Sequence, residues 1–240
     1  MFVGSYDKNL YAINTDNGTL RWKFTTLSGV DSSPAVSLDQ KTVFVGSYDK
    51  NFYAINAADG TLRWKFATGG SVLSSPAVSL DQKTVFVGSE DNNLYAINAA
   101  DGTQRWKFAT GGGVSSPEVS LDQKTVFVGT RNNDLYAINT ADGTQRWKFT
   151  TGGSLSSPAE SLDQKTVYVG SDDGRLYAVN TADGTQRWNF MTGGSVASPL
   201  VSLDQKTVYV GVEDGTVYAI CTALGTGTAE PAHHKGQKML

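Results

Sequence analysis

One tract of 41 or 42 residues recurs six times along this 240-residue chain, and a fixed period of that size confines the fold to stacked supersecondary units, as in solenoids and propellers. The tyrosines Tyr11, Tyr53, Tyr95, Tyr136, Tyr177 and Tyr218 mark the beat, each followed by Ala and then Ile or Val. All five tryptophans keep it: Trp22, Trp64, Trp106, Trp147 and Trp188. So do five of the prolines: Pro34, Pro76, Pro117, Pro158 and Pro199. A unit this short cannot bury an apolar face alone, so the copies must bury one another.

Within one unit the apolar pattern alternates with period two, which marks half-buried strands, and Gly, Asn and Asp cluster where turns belong. From Ser74 onward four strands follow. Strand a is Pro76 to Leu80, its proline at the position where no amide need be donated. After the turn Asp81-Gln82-Lys83, strand b is Thr84 to Gly88, β-branched and apolar throughout, as for a strand covered on both faces. The b–c turn, Glu90 to Asn93, has the equivalents Asp173-Gly174 and Asp214-Gly215, which signal a primed two-residue hairpin turn. Strand c is Leu94 to Asn98, and strand d is Thr103 to Phe108 with Trp106. Thr110 to Gly113 links to the next copy. No segment has the 3.6-residue apolar period of a helix.

Four antiparallel strands per unit of this length predict an all-β protein, a β-propeller of six four-stranded antiparallel blades. A β-solenoid would need parallel pairing, which tight hairpins exclude. The first and last blades are incomplete as read. The chain holds b, c and d of the first, four whole blades, and a, b and c of the last. Repeats span residues 1–222, and residues 223–240 form a tail that either supplies a closing strand or is disordered. The opening MFVGSYDKNLYAIN aligns with VFVGSYDKNFYAIN from Val43, so the chain opens inside a repeat and its natural start is expected upstream. The missing signal peptide therefore says little, and the compartment is not fixed by sequence.

The quoted residues resemble the PQQ-like, or quinoprotein-type, propeller repeats rather than WD40 or kelch repeats. The docking motif of that family runs Ala-x-Asp-x-x-Thr-Gly-Lys-x-x-Trp. Ala54 to Trp64 keeps its Ala, Gly and Trp at the same spacing, with Asn56, Asp59 and Thr61 in place of Asp, Thr and Lys. The match recurs at every tryptophan. The resemblance implies a structural role for Trp22, Trp64, Trp106, Trp147 and Trp188, each docking on the adjacent blade with its indole N–H on a backbone carbonyl. The regularity agrees, because one ligand cannot use five equivalent rings.

Family enzymes hold PQQ over calcium with an acidic base, an arginine, a stacking tryptophan and often a vicinal cysteine pair. Here Cys221 is the single cysteine, read as a small strand residue, and His233 and His234 in the tail are the only histidines. Two histidines without a third ligand make a weak metal site, and a Ser-His-Asp arrangement has no histidine among the repeats to serve as base. No catalytic residue, cofactor or metal is predicted. Acid and base are interspersed with a net charge of -3, so no basic stripe awaits nucleic acid. No run reaches the roughly 20 apolar residues of a membrane span.

Two features break the regularity. The first residue of turn b–c is Tyr6, Tyr48, Glu90, Arg131, Asp172 and Glu213 in successive copies. In the resembled family the b–c and d–a connections line the binding face, so this varying row is the candidate binding rim, with the drift of exposed turn residues as the alternative. Glu118 and Glu160 replace Ala or Leu and Val on strand a, where the innermost position predicts that they line a water-filled channel and could attract a cation. The expected function is a non-catalytic binding or scaffold module recognising protein or peptide on the loop face or a blade edge. A quinoprotein dehydrogenase or its fragment, and an amplified repeat segment of a larger sensor or scaffold without activity of its own, are the alternatives. Unclosed or swapped blades would produce a dimer.

Overall fold

The computed structural model describes residues 1–222 as twenty-two strands in six antiparallel meanders, with no helix. The first sheet comprises β1 (Phe2–Gly4), β2 (Asn9–Ile13) and β3 (Leu20–Thr25). The second holds β4 (Ala35–Val36), β5 (Thr42–Gly46), β6 (Asn51–Asn56) and β7 (Leu62–Ala67). The third holds β8 (Ala77–Val78), β9 (Thr84–Ser89), β10 (Asn93–Asn98) and β11 (Gln104–Ala109). The fourth holds β12 (Glu118–Val119), β13 (Thr125–Gly129), β14 (Asp134–Asn139) and β15 (Gln145–Thr150). The fifth holds β16 (Ala159–Glu160), β17 (Thr166–Ser171), β18 (Arg175–Asn180) and β19 (Gln186–Met191). The sixth holds β20 (Leu200–Val201), β21 (Thr207–Gly211) and β22 (Val217–Cys221). The tail from 223 to 240, with His233, His234 and the closing strand expected of it, lies outside the described residues.

Strand a is shorter than its pattern. Pro76 cannot donate to the ladder, and Ser79 leaves it to close the next turn, where its hydroxyl accepts the Thr84 amide and donates to Asp81. Only Ala77 and Val78 remain paired. The b–c turn also departs from expectation. Ser89 pairs with Asn93 and positive φ occurs once, at Asn92 (69°), so the loop has three residues. A two-residue type I′ turn, the one Asp-Gly favours, would need positive φ twice, whereas a type I turn followed by one left-handed residue needs it once. Gly174 and Gly215 take that last position.

Residues opposite each other across a ladder share a face. In the second sheet Phe44, Ala54 and Trp64 are thus on one face, and Val43, Val45, Tyr53 and Ile55 on the other. The first face packs, with Phe52, on Val85, Val87, Tyr95 and Ile97 of the third sheet. The second face receives Leu10, Ala12 and Trp22 of the first sheet. The same junction recurs from sheet to sheet up to the sixth. Full burial of each such aromatic or branched side chain is worth about 1.5–3 kcal/mol, and these junctions constitute the core.

Among the described residues no such cluster joins the sixth sheet to the first. Tyr209, Val217 and Leu200 on the outward face of the sixth are 43%, 68% and 68% exposed, although Phe44, Phe86 and Phe127, the counterparts of Tyr209, are sealed. Met1 and Val3 are likewise open on the outward face of the first sheet. Cys221 is the last residue of β22, as a strand residue in the place of Asn56, Asn98 and Asn139, and it is exposed.

Candidate functional site

Five of the six varying turn residues are pinned by their backbones to the link before their sheet, and Tyr6 joins them through its ring. The amides of Tyr48, Glu90, Arg131, Asp172 and Glu213 each donate to a carbonyl in the link before their own sheet: Gly29, Ser71, Gly113, Ser154 and Ser195. An aspartate in the same turn adds a second clamp. Asp91 Oδ2 accepts the Tyr95 hydroxyl at 2.7 Å and the Gly69 amide at 2.6 Å. Asp49 and Asp173 do the same with Tyr53 and Leu27, and with Tyr177 and Gly152. Burial pushes Asp91 upward, but the hydrogen bonds from Tyr95, Gly69 and Asn93 prevail and hold it below the usual carboxylate range. Burial and then Asp173 push Tyr177 up to about 12. The signal in the sequence is an Asp four residues before the repeat tyrosine in every copy but the fourth, which has Asn132.

The side chains of the row pair as neighbours. The rings of Tyr6 and Tyr48 lie 6.0 Å apart at 36°, and the Tyr48 hydroxyl is 3.4 Å from Asp31. Hydrogen bonding with Tyr48 and Asp31 pushes the Tyr6 phenol up to about 12, and Tyr6 is 70% exposed. Arg131 Nη2 sits 3.1 Å from Glu90 Oε1. Asp172 accepts the hydroxyl of Ser195. Glu213 stands at the end of the row, on the exposed sixth sheet.

Beside the Glu90–Arg131 pair is a cavity of about 230 Å³ lined by Leu73, Val114 and Leu155 and by Ser74, Ser115, Ser116 and Ser157. Its serines belong to a ladder that sequence reading overlooked. The amides of Ser33, Ser75, Ser116 and Ser157 donate to Ser75, Ser116, Ser157 and Ser198 Oγ, one sheet onward each time. The signal was the recurrent Ser-Pro that opens each strand a.

Glu118 pairs with Phe127 and Glu160 with Val167, so the two face the same gap, between the fourth and fifth sheets. Neither stands free along a channel. Glu160 Oε2 accepts the Leu121 amide at 2.8 Å, a place Gln82, Gln123 and Gln205 fill at other junctions. Burial, and next the Glu160 charge, push Glu118 up to about 7. Glu160 is raised by burial and by Asp122 and Asp163, against the Leu121 hydrogen bond.

Four tryptophans donate Nε1 to the following sheet: Trp22 to Ala57, Trp64 to Ala99, Trp106 to Thr140 and Trp147 to Thr181, at 2.8–3.1 Å. Trp188 lies against the fifth-to-sixth junction, with Tyr168 5.7 Å away.

The rim thus offers hydroxyl donors and acceptors, one ion pair and two phenols in tilted contact, groups suited to grasping a backbone and an anchor side chain. Among the described residues no three His, Cys, Asp or Glu side chains gather as metal ligands, and no buried side-chain N or O atom lacks a partner. Among the described residues no helix is long and apolar enough to cross a membrane.

The family model described as outer membrane protein assembly factor BamB matches the chain twice, over residues 6–117 and 108–230. No curated protein matches it.

Proposed function

The chain belongs to the PQQ-like β-propeller repeat family, and on that premise we propose that it is a non-catalytic binding module whose six sheets serve as blades and whose turn rim recognises a protein or peptide segment. The tryptophans dock blade on blade in this reading. The observation that carries it is the rim itself: backbone pinned alike in the second to sixth copies, with Tyr, Glu, Arg and Asp side chains sharing the six positions. A constant frame with a variable tip separates the folding requirement from the contact chemistry. Exposed tyrosine and arginine are residue types that dominate binding energy at interfaces. The hydroxyls and carboxylates of the turns hold backbone in place, which supports a scaffold over a reaction centre.

Panning random dodecapeptides displayed on phage against the immobilised chain tests the proposal. Enriched peptides should lose binding at least about tenfold to the Tyr48→Asp/Arg131→Asp variant, the loss typical of removing an anchor at the interface centre. Since the fifth copy carries Asp at this position, the variant keeps the fold. Enriched peptides that bind it undiminished, or no enrichment, would overturn the rim reading.

The open outer face of the sixth sheet supports a second proposal, self-association. Leu200, Tyr209 and Val217 present the face that elsewhere seats on a neighbouring sheet, and Met1 and Val3 present its complement. Light scattering should give a mass above that of one chain at high concentration. Val217→Lys should return it to the monomer, because a charge in that junction goes uncompensated.

A further inference from the structure

The links between sheets do not share one length, and the difference falls on the rim. Val114, Leu155 and Val196 lead directly to Ser115, Ser156 and Ala197, whereas Asp31 follows Val30 and Leu73 follows Val72 as one residue more before Ser-Ser-Pro. In the shorter links Val114, Leu155 and Val196 bridge to the end of strand b, at Thr130, Ser171 and Val212, and the next amide donates to the carbonyl of Gly129, Gly170 or Gly211. Among the described residues no such bridge precedes the second or third sheet. The Ser74 hydroxyl holds the link to β9 there, accepting the Gly88 amide at 2.8 Å and donating to the Gly88 carbonyl at 2.9 Å. The extra residue is extruded, as a β-bulge re-aims a side chain.

Both extruded side chains arrive at paired rim residues. Asp31 lies 3.4 Å from the Tyr48 hydroxyl. Leu73 lines the cavity beside Glu90 and Arg131. Three links fold without an extra residue, and Val72 is sealed while Leu73 is half-buried, so the core does not require Leu73.

Leu73, Val114 and Leu155 give the cavity branched apolar walls. Ser116 Oγ accepts the Ser75 amide and Ser157 Oγ accepts the Ser116 amide, and among the described residues neither hydroxyl donates its own proton. Two O–H donors therefore border an apolar pit. Glu90 and Arg131 neutralise each other at 3.1 Å. They sit over Gly113, where an added Cβ would stand 2.9 Å from Glu90 Oε2 and 3.2 Å from Arg131 Cδ. An ionic group entering here would lose its hydration without a counter-charge. The volume of about 230 Å³ falls short of the roughly 300–1,000 Å³ that holds a drug-sized ligand, and it suits one side chain.

We infer that this cavity is the anchor subsite of the rim, taking one branched aliphatic side chain, Leu, Ile or Val, of a peptide whose neighbouring carbonyls accept the Ser116 and Ser157 hydroxyls. The inference rests on the rim reading above and names the residue class that the rim selects. The extra residue of the link builds the wall of the subsite, and the link serines supply its polar edge.

The test is an amide-resolved NMR titration of the full chain with N-acetyl-leucine methylamide, a blocked residue small enough to read the subsite apart from the rest of the rim. Saturable shifts are expected at the amides of Val114, Ser116 and Leu155. The alanine analogue should bind about tenfold more weakly and the lysine analogue not at all, because the walls reward branched apolar surface and reject a charge. Leu73→Asp, which installs the residue of the preceding link, and deletion of Leu73, which restores the length of the later links, should each weaken binding about tenfold. A dispersed amide spectrum verifies the fold of each variant. Titration without saturation, equal affinity for the alanine analogue, or indifference to both variants would overturn the inference. Phage-enriched peptides that lose binding to Tyr48→Asp/Arg131→Asp but not to Leu73→Asp would keep the rim and discard the subsite, whereas failure of the rim itself shows as panning without enrichment.

Discussion

Trp64→Ala is expected to lower the unfolding free energy by about 3–5 kcal/mol, the range for deleting a large buried aromatic. The ring closes the junction of the second and third sheets. Its centroid lies 5.8 Å from Phe44 and 5.9 Å from Phe52, and its Nε1 donates to the Ala99 carbonyl at 3.1 Å. Beneath it lies Gly102 at φ 76°, where an added Cβ would stand 2.7 Å from the ring. Gly102→Ala therefore costs twice, once for the left-handed backbone and once for displacing the indole, roughly 2–3 kcal/mol together. With Trp64 already alanine only the backbone part remains, about 1 kcal/mol, so a double-mutant cycle should show clear coupling. Urea denaturation followed by circular dichroism measures all four proteins. Because each sheet meets only its neighbours, loss of one junction should also broaden the transition. Additive losses would mean that the indole does not seat on Gly102.

The same junction explains how much of the fold was legible. Trp64, Tyr95 and Val85 repeat with the period, and period-two alternation assigned each to a strand, so twenty-two strands and their grouping could be read directly. What could not be read was two-body information between copies. Ser75 looks like any turn serine until its amide is placed on Ser116, and Asp91 looks like a hairpin residue until it is found holding both Tyr95 and Gly69. The b–c turn was misjudged because Asp-Gly suits both a primed turn and a three-residue loop, and only the Ser89–Asn93 register distinguishes them. Glu118 and Glu160 were assigned to a channel from depth alone. Which face of a two-residue strand a side chain takes depends on its cross-strand partner, and that partner directs both carboxylates into one gap.

That gap should make stability depend on pH in a definite window. Glu118 is pushed from its ordinary 4.5 up to about 7, first by burial and then by the charge of Glu160, with Asp122 and Asp163 acting on Glu160 from the flanking turns. The folded state thus binds the proton more tightly than the unfolded chain does. The stability linked to this group is full below about pH 4.5, declines as the pH rises, and is lost above about pH 7. A shift of this size corresponds to roughly 3 kcal/mol, and the side chain's remaining contact with water reduces that to about 2. Glu118→Ala, which installs the residue found at Ala35, Ala77 and Ala159, should leave stability near pH 4 little changed and raise the melting temperature at pH 8 by about 5 °C. Glu160→Gln should keep an acceptor for the Leu121 amide while moving the Glu118 transition to lower pH. The turn aspartates act in the opposite sense and in a separate window. Held below the usual carboxylate range by their hydrogen bonds, they contribute above that range and lose the contribution only as the pH falls through their lowered values. Thermal melts from pH 4 to pH 8 therefore isolate the glutamate pair. If the wild type and Glu118→Ala run parallel across that range, Glu118 titrates as a solvated carboxylate and the two side chains do not share the gap.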